Sequence, residues 1–273
     1  MRPGAAGRVA AIMRKDAAEL TANLSTLLPA IWMAIVSVFP GFLVAILAPL
    51  LAGETLAESE EFAEGTALAV KTIPELAALD GNALIQGFLF HQFSLLILMV
   101  PVVGSMAIAA HAVIGEKLAR TLEPLLATPI STAELLIAKA MTPLVFGVVL
   151  MWITLAAYIA LIGVSAEPGV WQTMVGPRML VLFFLVGPLI TVTALMLAVI
   201  ISSRVNDPRS AQQLGALVVM PVTAVFVGQL VGQFLVTLPA ILQAGLVLVV
   251  INLVLGMIGV RLFDRERILM RWK

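Results

Sequence analysis

Few residues in this sequence could carry catalytic or metal chemistry. The chain has two histidines and no cysteine, which excludes disulfides and thiolate-ligated metals. His91 and His111 fall near opposite ends of one apolar segment, so they could not share a metal ion. Neither the G-x-x-x-x-G-K-[ST] nucleotide-binding pattern nor the H-E-x-x-H metalloprotease pattern occurs. We therefore predict no catalytic residue, no metal site and no cofactor site in this chain, and no enzymatic activity of its own.

The polar groups within apolar segments are the remaining candidates for a functional site. They are His91, Gln92, Gln229 and Gln233. Such residues can line a polar route for a substrate, and they can equally well form hydrogen bonds between packed membrane helices. The sequence leaves both interpretations open.

The composition is that of a protein that lies in lipid. Hydrophobic residues make up 61% of the 273 residues, charged residues 12%, and the mean hydropathy is +1.10. A soluble domain carries about 25% charged residues. The net charge is zero, which argues against a nucleic-acid partner because phosphate contacts need an excess of Lys and Arg. We therefore expect an all-α membrane protein.

Gaps between charged residues predict six transmembrane helices. Charge-free segments cover 27–51, 87–114, 141–164 and 179–201, and the segment 210–260 has room for two crossings divided at Pro239. Pro40-Gly41 predicts a kink in the first helix. The predicted organisation is an N-terminal interfacial helix at 1–26, a six-helix domain at 27–262 and a tail at 263–273. That domain includes an external loop at 52–86 and a cytoplasmic loop at 115–139.

The basic residues predict the orientation of these helices. On the six-helix map, 14 of the 16 Lys and Arg residues fall on one side, and only Lys71 and Arg178 fall on the other. The side richer in Lys and Arg is normally cytoplasmic. Both termini are therefore predicted to be cytoplasmic.

Two segments outside the spans have patterns of their own. In the N-terminal segment an apolar stripe that includes Val9, Ile12 and Leu20 predicts a helix lying along the membrane surface, although Asp16 interrupts the stripe. The external loop at 52–86 is strongly acidic, with Lys71 as its only basic residue. It could be a vestibule that gathers cations or a solvated surface loop.

The loop at 115–139 carries the most information. Glu116 and Arg120 are spaced to form a helical ion pair, and Ser131 with Glu134 forms a capping box for the helix that follows. Between them, apolar side chains would be exposed on the cytoplasmic side, at Leu122, Leu125 and Leu126. Exposed leucines beside charges can form a docking surface for another protein, or they can rest on the bilayer.

The run RTLEPLLATPIS at 120–131, preceded by Glu116 and Lys117, resembles the coupling segment of type-2 ABC exporter permeases, the family that includes sodium-efflux and drug-efflux permeases. The run SSRVNDPRSAQQ at 202–213 resembles a second segment of the same family, although Asp207 and Pro208 could simply begin a helix there. The resemblance implies the type-2 ABC exporter fold, with two permease and two ATP-binding subunits in the cytoplasmic membrane of a prokaryote. ATP and Mg would be bound by the partner subunit, and the residues in contact with it would be Glu116, Arg120, Leu122, Glu123, Leu125 and Leu126.

Two other functional classes stay open. An ion-coupled secondary carrier or a channel would work without an ATPase, but it normally places ionisable groups inside the membrane, whereas here the charges fall outside the spans or at their edges. A membrane anchor or assembly factor would not need the patterned loop at 115–139. The sequence favours the exporter.

Overall fold

The computed structural model describes residues 5–22, 24–53, 55–56, 63–118, 132–202, 219–231 and 235–262. Every regular element within these residues is helical, in agreement with the predicted all-α class. The α-helices are α1 Ala5–Ala22, α2 Leu24–Phe42, α3 Ala48–Ala52, α4 Ala63–Thr72, α5 Gly81–Phe93, α6 Met99–Leu118, α7 Thr132–Ser165, α8 Val170–Thr173, α9 Pro177–Val181, α10 Gly187–Ser202, α11 Val219–Leu230 and α12 Leu238–Leu262. Two π-helical turns, Leu43–Leu47 and Leu182–Val186, and two 3-10 turns, Pro74–Ala78 and Ser94–Leu98, join consecutive helices.

Five helical segments are long and apolar enough to cross a membrane: Leu27–Ala52, Gly81–Ala109, Ile137–Ser165, Pro177–Ala198 and Leu238–Gly259. We call them the first, second, third, fourth and sixth spans. The shorter apolar helix α11, Val219–Leu230, corresponds to the predicted fifth span. The chain is therefore a multi-pass membrane protein, and a sixth crossing at α11 stays a prediction because its neighbours at 203–218 and 232–234 lie outside the described residues.

The second span occupies the centre of the bundle. In an apolar stretch of 18 residues in this span, 89% of the residues are buried. The corresponding share is 17% in the first span and 11% in the sixth. The first, third and fourth spans pack against the second, and the sixth packs against the fourth. Helices that are apolar all round but mostly exposed need lipid or another subunit to cover them.

The segment 52–86, predicted to be an external loop, contains more helix than that prediction implies. Within 52–86 the structure has α4 and the 3-10 turn Pro74–Ala78, and the second span already begins at Gly81 rather than at residue 87. Glycine at position 81 adopts a φ of 49°, which a side chain at that position would disfavour. The 3-10 turn returns the chain to the bundle, where Leu76 is fully buried.

A π-helical turn, Leu43–Leu47, follows α2 directly, and a kink at Pro40-Gly41 stays a prediction. The backbone N–H of Ala48 donates to the carbonyl of Leu43, the wider spacing of a π turn. Just before this turn, a Cβ on Gly41 would lie 2.9 Å from the Tyr158 hydroxyl. The Tyr158 hydroxyl donates to the carbonyl of Phe90 at 3.0 Å, so the first, second and third spans meet at this point. Glycine at position 41 permits that close contact.

Helix α1 packs against α7 through a buried ion pair. The Lys139 ammonium lies 2.9 Å from the Asp16 carboxylate, and the two side chains are only 9% and 8% exposed. Asp16 therefore belongs to the packed face of α1. The sequence alone suggested that it interrupts the apolar stripe of this helix. A location of α1 at the membrane surface stays a prediction.

Candidate functional site

A buried arginine ties together three parts of the bundle at the end opposite α1. The guanidinium of Arg178 donates from Nε to the carbonyl of Val236 at 2.9 Å, and Nη1 lies 2.8 Å from Nδ1 of His91. Arg178 is 3% exposed and His91 is 1% exposed. Arg178 lies at the start of the fourth span, His91 in the second, and Val236 in the link before the sixth. These contacts form the centre of what we call the Arg178 cluster.

Two glutamines extend the Arg178 cluster to α11. Gln92 donates from Nε2 to the carbonyl of Gln229 at 3.2 Å. The Gln229 side chain in turn accepts through Oε1 from the backbone N–H of Val236 at 2.9 Å. Val236 is thus held on both sides, by Arg178 at its carbonyl and by Gln229 at its amide.

The last member of the Arg178 cluster is Glu75, in the 3-10 turn Pro74–Ala78. Its carboxylate lies against the backbone of Gly176, where a Cβ would collide with Oε1. Among the described residues no direct ion pair joins Glu75 to Arg178. Several buried polar atoms here have no hydrogen-bond partner within the described structure: Glu75 Oε2, Arg178 Nη2, His91 Nε2 and Gln229 Nε2.

Local sequence explains how Arg178 enters the bundle. Gly176 is extended at the cap position, and Pro177 begins α9, where a missing backbone N–H costs nothing. Arg178 follows directly, so its long side chain leaves the first helical turn next to the second span. Thr237 and Pro239 start α12 close by, which brings the carbonyl of Val236 within reach.

The contact between His91 and Arg178 fixes the protonation pattern of the imidazole. A guanidinium can only donate, so Nδ1 of His91 must accept and the ring proton resides on Nε2. A doubly protonated ring would place a donor against a donor. His91 therefore serves here as a neutral acceptor for a buried cation.

Three of the four residues suggested as a substrate path come together in this cluster. His91, Gln92 and Gln229 share one buried network, while Gln233 lies outside the described residues. A role in a substrate path stays a prediction. Arg178 and Glu75 complete the network, and sequence reasoning missed both. An arginine just before a span normally extends to the lipid headgroups, and a glutamate in an acidic loop is normally solvated.

The predicted coupling residues fall almost entirely outside the described part of the chain. Glu116 lies in α6. The structure does not describe residues 119–131, which include Arg120, Leu122, Glu123, Leu125 and Leu126. Their contact with an ATPase stays a prediction. The helix that follows them, α7, carries Lys139 and so the ion pair with α1.

No metal site occurs within the described residues, since no group of three or more His, Cys, Asp or Glu side chains there could hold a metal ion. The Arg178 cluster is also cationic at its centre, which would repel a metal cation. The Arg178 cluster offers hydrogen bonds and a buried positive charge. These interactions can hold the helices together, and the helices can separate when they break.

Comparison with known proteins identifies the family. The model of the family described as "ABC-2 family transporter protein" matches residues 10–246, which is most of the chain. No curated protein matches the sequence, and no solved structure matches it. The chain therefore belongs to the ABC-2 family of transporters, whose members are the membrane permeases that normally work with an ATP-binding subunit.

Proposed function

We propose that this chain is the permease subunit of an ATP-driven exporter, which pairs with a second copy of itself and binds two copies of a separate ATP-binding subunit. The family match over residues 10–246 is the observation that carries the proposal. In this arrangement ATP and Mg are bound by the partner subunit, and the chain itself resides in the cytoplasmic membrane of a prokaryote.

The packing of α1 supports a coupling role for the loop between α6 and α7. The loop ends where α7 begins, at Thr132, and Lys139 lies two turns further along the same helix. Through its ion pair with Asp16, a displacement of the loop would move α7 and α1 together. The loop and α1 also share the side that is rich in basic residues, which we assign to the cytoplasm.

The orientation can be tested because the chain has no cysteine. Single cysteines placed at Glu60 and Glu167 should react with a membrane-impermeant maleimide in intact cells. Cysteines placed at Lys117 and Arg265 should react only after permeabilisation. Labelling of the Lys117→Cys variant in intact cells would contradict the proposed topology.

Coupling and stoichiometry need the intact complex. The tagged full-length chain, purified from its native membranes in mild detergent, should elute with an ATP-binding protein and with ATPase activity. Native mass spectrometry should give two permease and two ATP-binding chains. Elution as a single chain without ATPase activity would contradict the proposal.

The alternative function is an ion-coupled carrier or a channel, and one structural observation favours it. The Arg178 cluster buries an arginine and a histidine together with one carboxylate oxygen of Glu75, and buried ionisable groups are typical of carriers. A carrier should move its substrate in vesicles energised by a proton or sodium gradient with no ATP-binding protein present. The exporter should be inactive under those conditions.

A further inference from the structure

The contacts of Arg178 join segments that a transporter must separate in order to open one end. In the structure Arg178 connects the fourth span to the second through His91 and to the link before the sixth span through Val236. Gln92 and Gln229 add a connection between the second span and α11. While these bonds persist, the second span, fourth span and α11 remain closed around each other at this end.

The partners of Arg178 in this closed arrangement are all neutral. Val236 offers a backbone carbonyl and His91 a neutral imidazole nitrogen, so the positive charge is buried without a carboxylate bound to it. A buried ion is strongly disfavoured unless it is paired. Nη2 of Arg178 makes no hydrogen bond in the described structure, which leaves part of the guanidinium unsatisfied.

A better partner lies nearby and is itself incomplete. Oε2 of Glu75 is buried without a hydrogen-bond partner in the described structure. Its carboxylate packs on Gly176, which is only two residues before Arg178. The two side chains do not form an ion pair in this state, although each carries the group that the other lacks. Contact between the two side chains would therefore require the fourth span or the turn that carries Glu75 to move.

The fourth span departs from regular α-helix close to Arg178. The π-helical turn Leu182–Val186 follows α9 directly, and the N–H of Gly187 donates to the carbonyl of Leu182 across it. Trp152 donates from Nε1 to the carbonyl of Phe183 at 3.1 Å, which satisfies a carbonyl within the widened turn. Single π turns inside α-helices occur frequently at functional sites.

We propose that Arg178 is a two-position switch that closes the outer end of the permease by binding Val236 and His91, and that opens this end by pairing with Glu75 instead. The proposal rests on the export function proposed above, because it assigns this end to the outside. Two discrete sets of partners for one side chain make the element bistable, which is the requirement for a gate that responds to a distant ATPase. The gate residues are Arg178 and Glu75, and His91, Gln92 and Gln229 are the groups released when it opens.

The test uses a buried reporter in the naturally cysteine-free chain. Ser94 is 1% exposed and its hydroxyl lies 3.7 Å from the sulfur of Met179, next to Arg178 in sequence. A Ser94→Cys variant, assembled in the full complex in membrane vesicles, should react slowly with an impermeant maleimide applied from the outer side. Its labelling rate should rise during ATP turnover, when the outer end opens.

Three variants added to the reporter separate the two positions of the switch. Arg178→Gln should raise labelling without ATP by about tenfold or more, because the charged hydrogen bonds to Val236 and His91 that hold this end closed are lost. Glu75→Gln should suppress the rise during turnover, because the second partner of Arg178 has lost its charge. Lys71→Gln removes the other basic residue of this side, which is exposed, and should behave as the reporter alone.

The outcomes distinguish this proposal from the proposed function. If the reporter alone shows no ATP-dependent rise, the export function is contradicted. The comparison of Arg178→Gln with Lys71→Gln, made without ATP, still decides whether Arg178 holds the end closed. If the rise occurs and Glu75→Gln shows it undiminished, the switch is refuted. Arg178→Lys guards against misfolding, since it keeps the charge and should give an intermediate rate; a rate equal to that of Arg178→Gln would also refute the switch.

Discussion

The ion pair that attaches α1 to α7 gives the sharpest test of the packing. Asp16 and Lys139 are separated by 2.9 Å and nearly buried. At an effective dielectric constant of about 20 the attraction at this distance is roughly 6 kcal/mol, most of which is offset by removal of both ions from water. In Lys139→Met the carboxylate of Asp16 stays buried without this ion pair, which should cost about 3 kcal/mol of unfolding free energy. The double variant Asp16→Leu with Lys139→Met removes both charges and should recover most of that loss.

The assay is equilibrium unfolding in detergent micelles, with a matched control on the same helix. Lys15 and Glu19 also form an ion pair, at 3.3 Å, but their side chains are 53% and 63% exposed. Lys15→Met should therefore change the unfolding free energy by less than about 0.5 kcal/mol. The reasoning fails if Lys139→Met is no more destabilising than Lys15→Met, or if the double variant costs as much as the two single variants added together.

Three further predictions concern the core and the coupling loop. Tyr158→Phe removes the hydroxyl that bonds to the second span, and should lower the unfolding free energy by about 1 kcal/mol in the same denaturation assay. Gly41→Ala should cost roughly 1–3 kcal/mol because its Cβ meets the Tyr158 hydroxyl, whereas Gly256→Ala, with open space around it, should not destabilise. Arg120→Glu and Leu125→Asp should insert into membranes normally yet lose the ATP-binding subunit or the coupling of its ATPase activity. Wild-type assembly and transport in both would contradict a coupling role.

The spans could be predicted because membrane insertion depends on local composition. An apolar stretch of about 20 residues without charges is long enough to cross the hydrocarbon core, wherever it lies in the chain. The kink near Pro40 is predicted for a similar reason, since proline removes a backbone donor. No local pattern predicts the π turn that follows α2.

The Arg178 cluster could not be predicted because its members come from distant parts of the chain. An arginine beside an apolar segment usually extends to the headgroups, and the pattern around Arg178 fits that expectation. Its burial depends on the external turn with Glu75 and the link at Val236 folding over it, and sequence spacing says nothing about either. The role of Asp16 in packing could not be predicted for the same reason, because its partner Lys139 lies 123 positions away in the sequence.

The two charged sites differ in a way that suits the two ends of a transporter. Asp16 and Lys139 carry opposite charges in direct contact, so any relative movement of α1 and α7 would separate a buried ion pair. Arg178 is held by neutral partners, and Glu75 lies near Gly176 without forming an ion pair with it. The first arrangement resists motion and can transmit force as a rigid unit. Under the switch proposed above, the second exchanges hydrogen bonds for an ion pair, so a force delivered at the α1 end would produce movement at the Arg178 end.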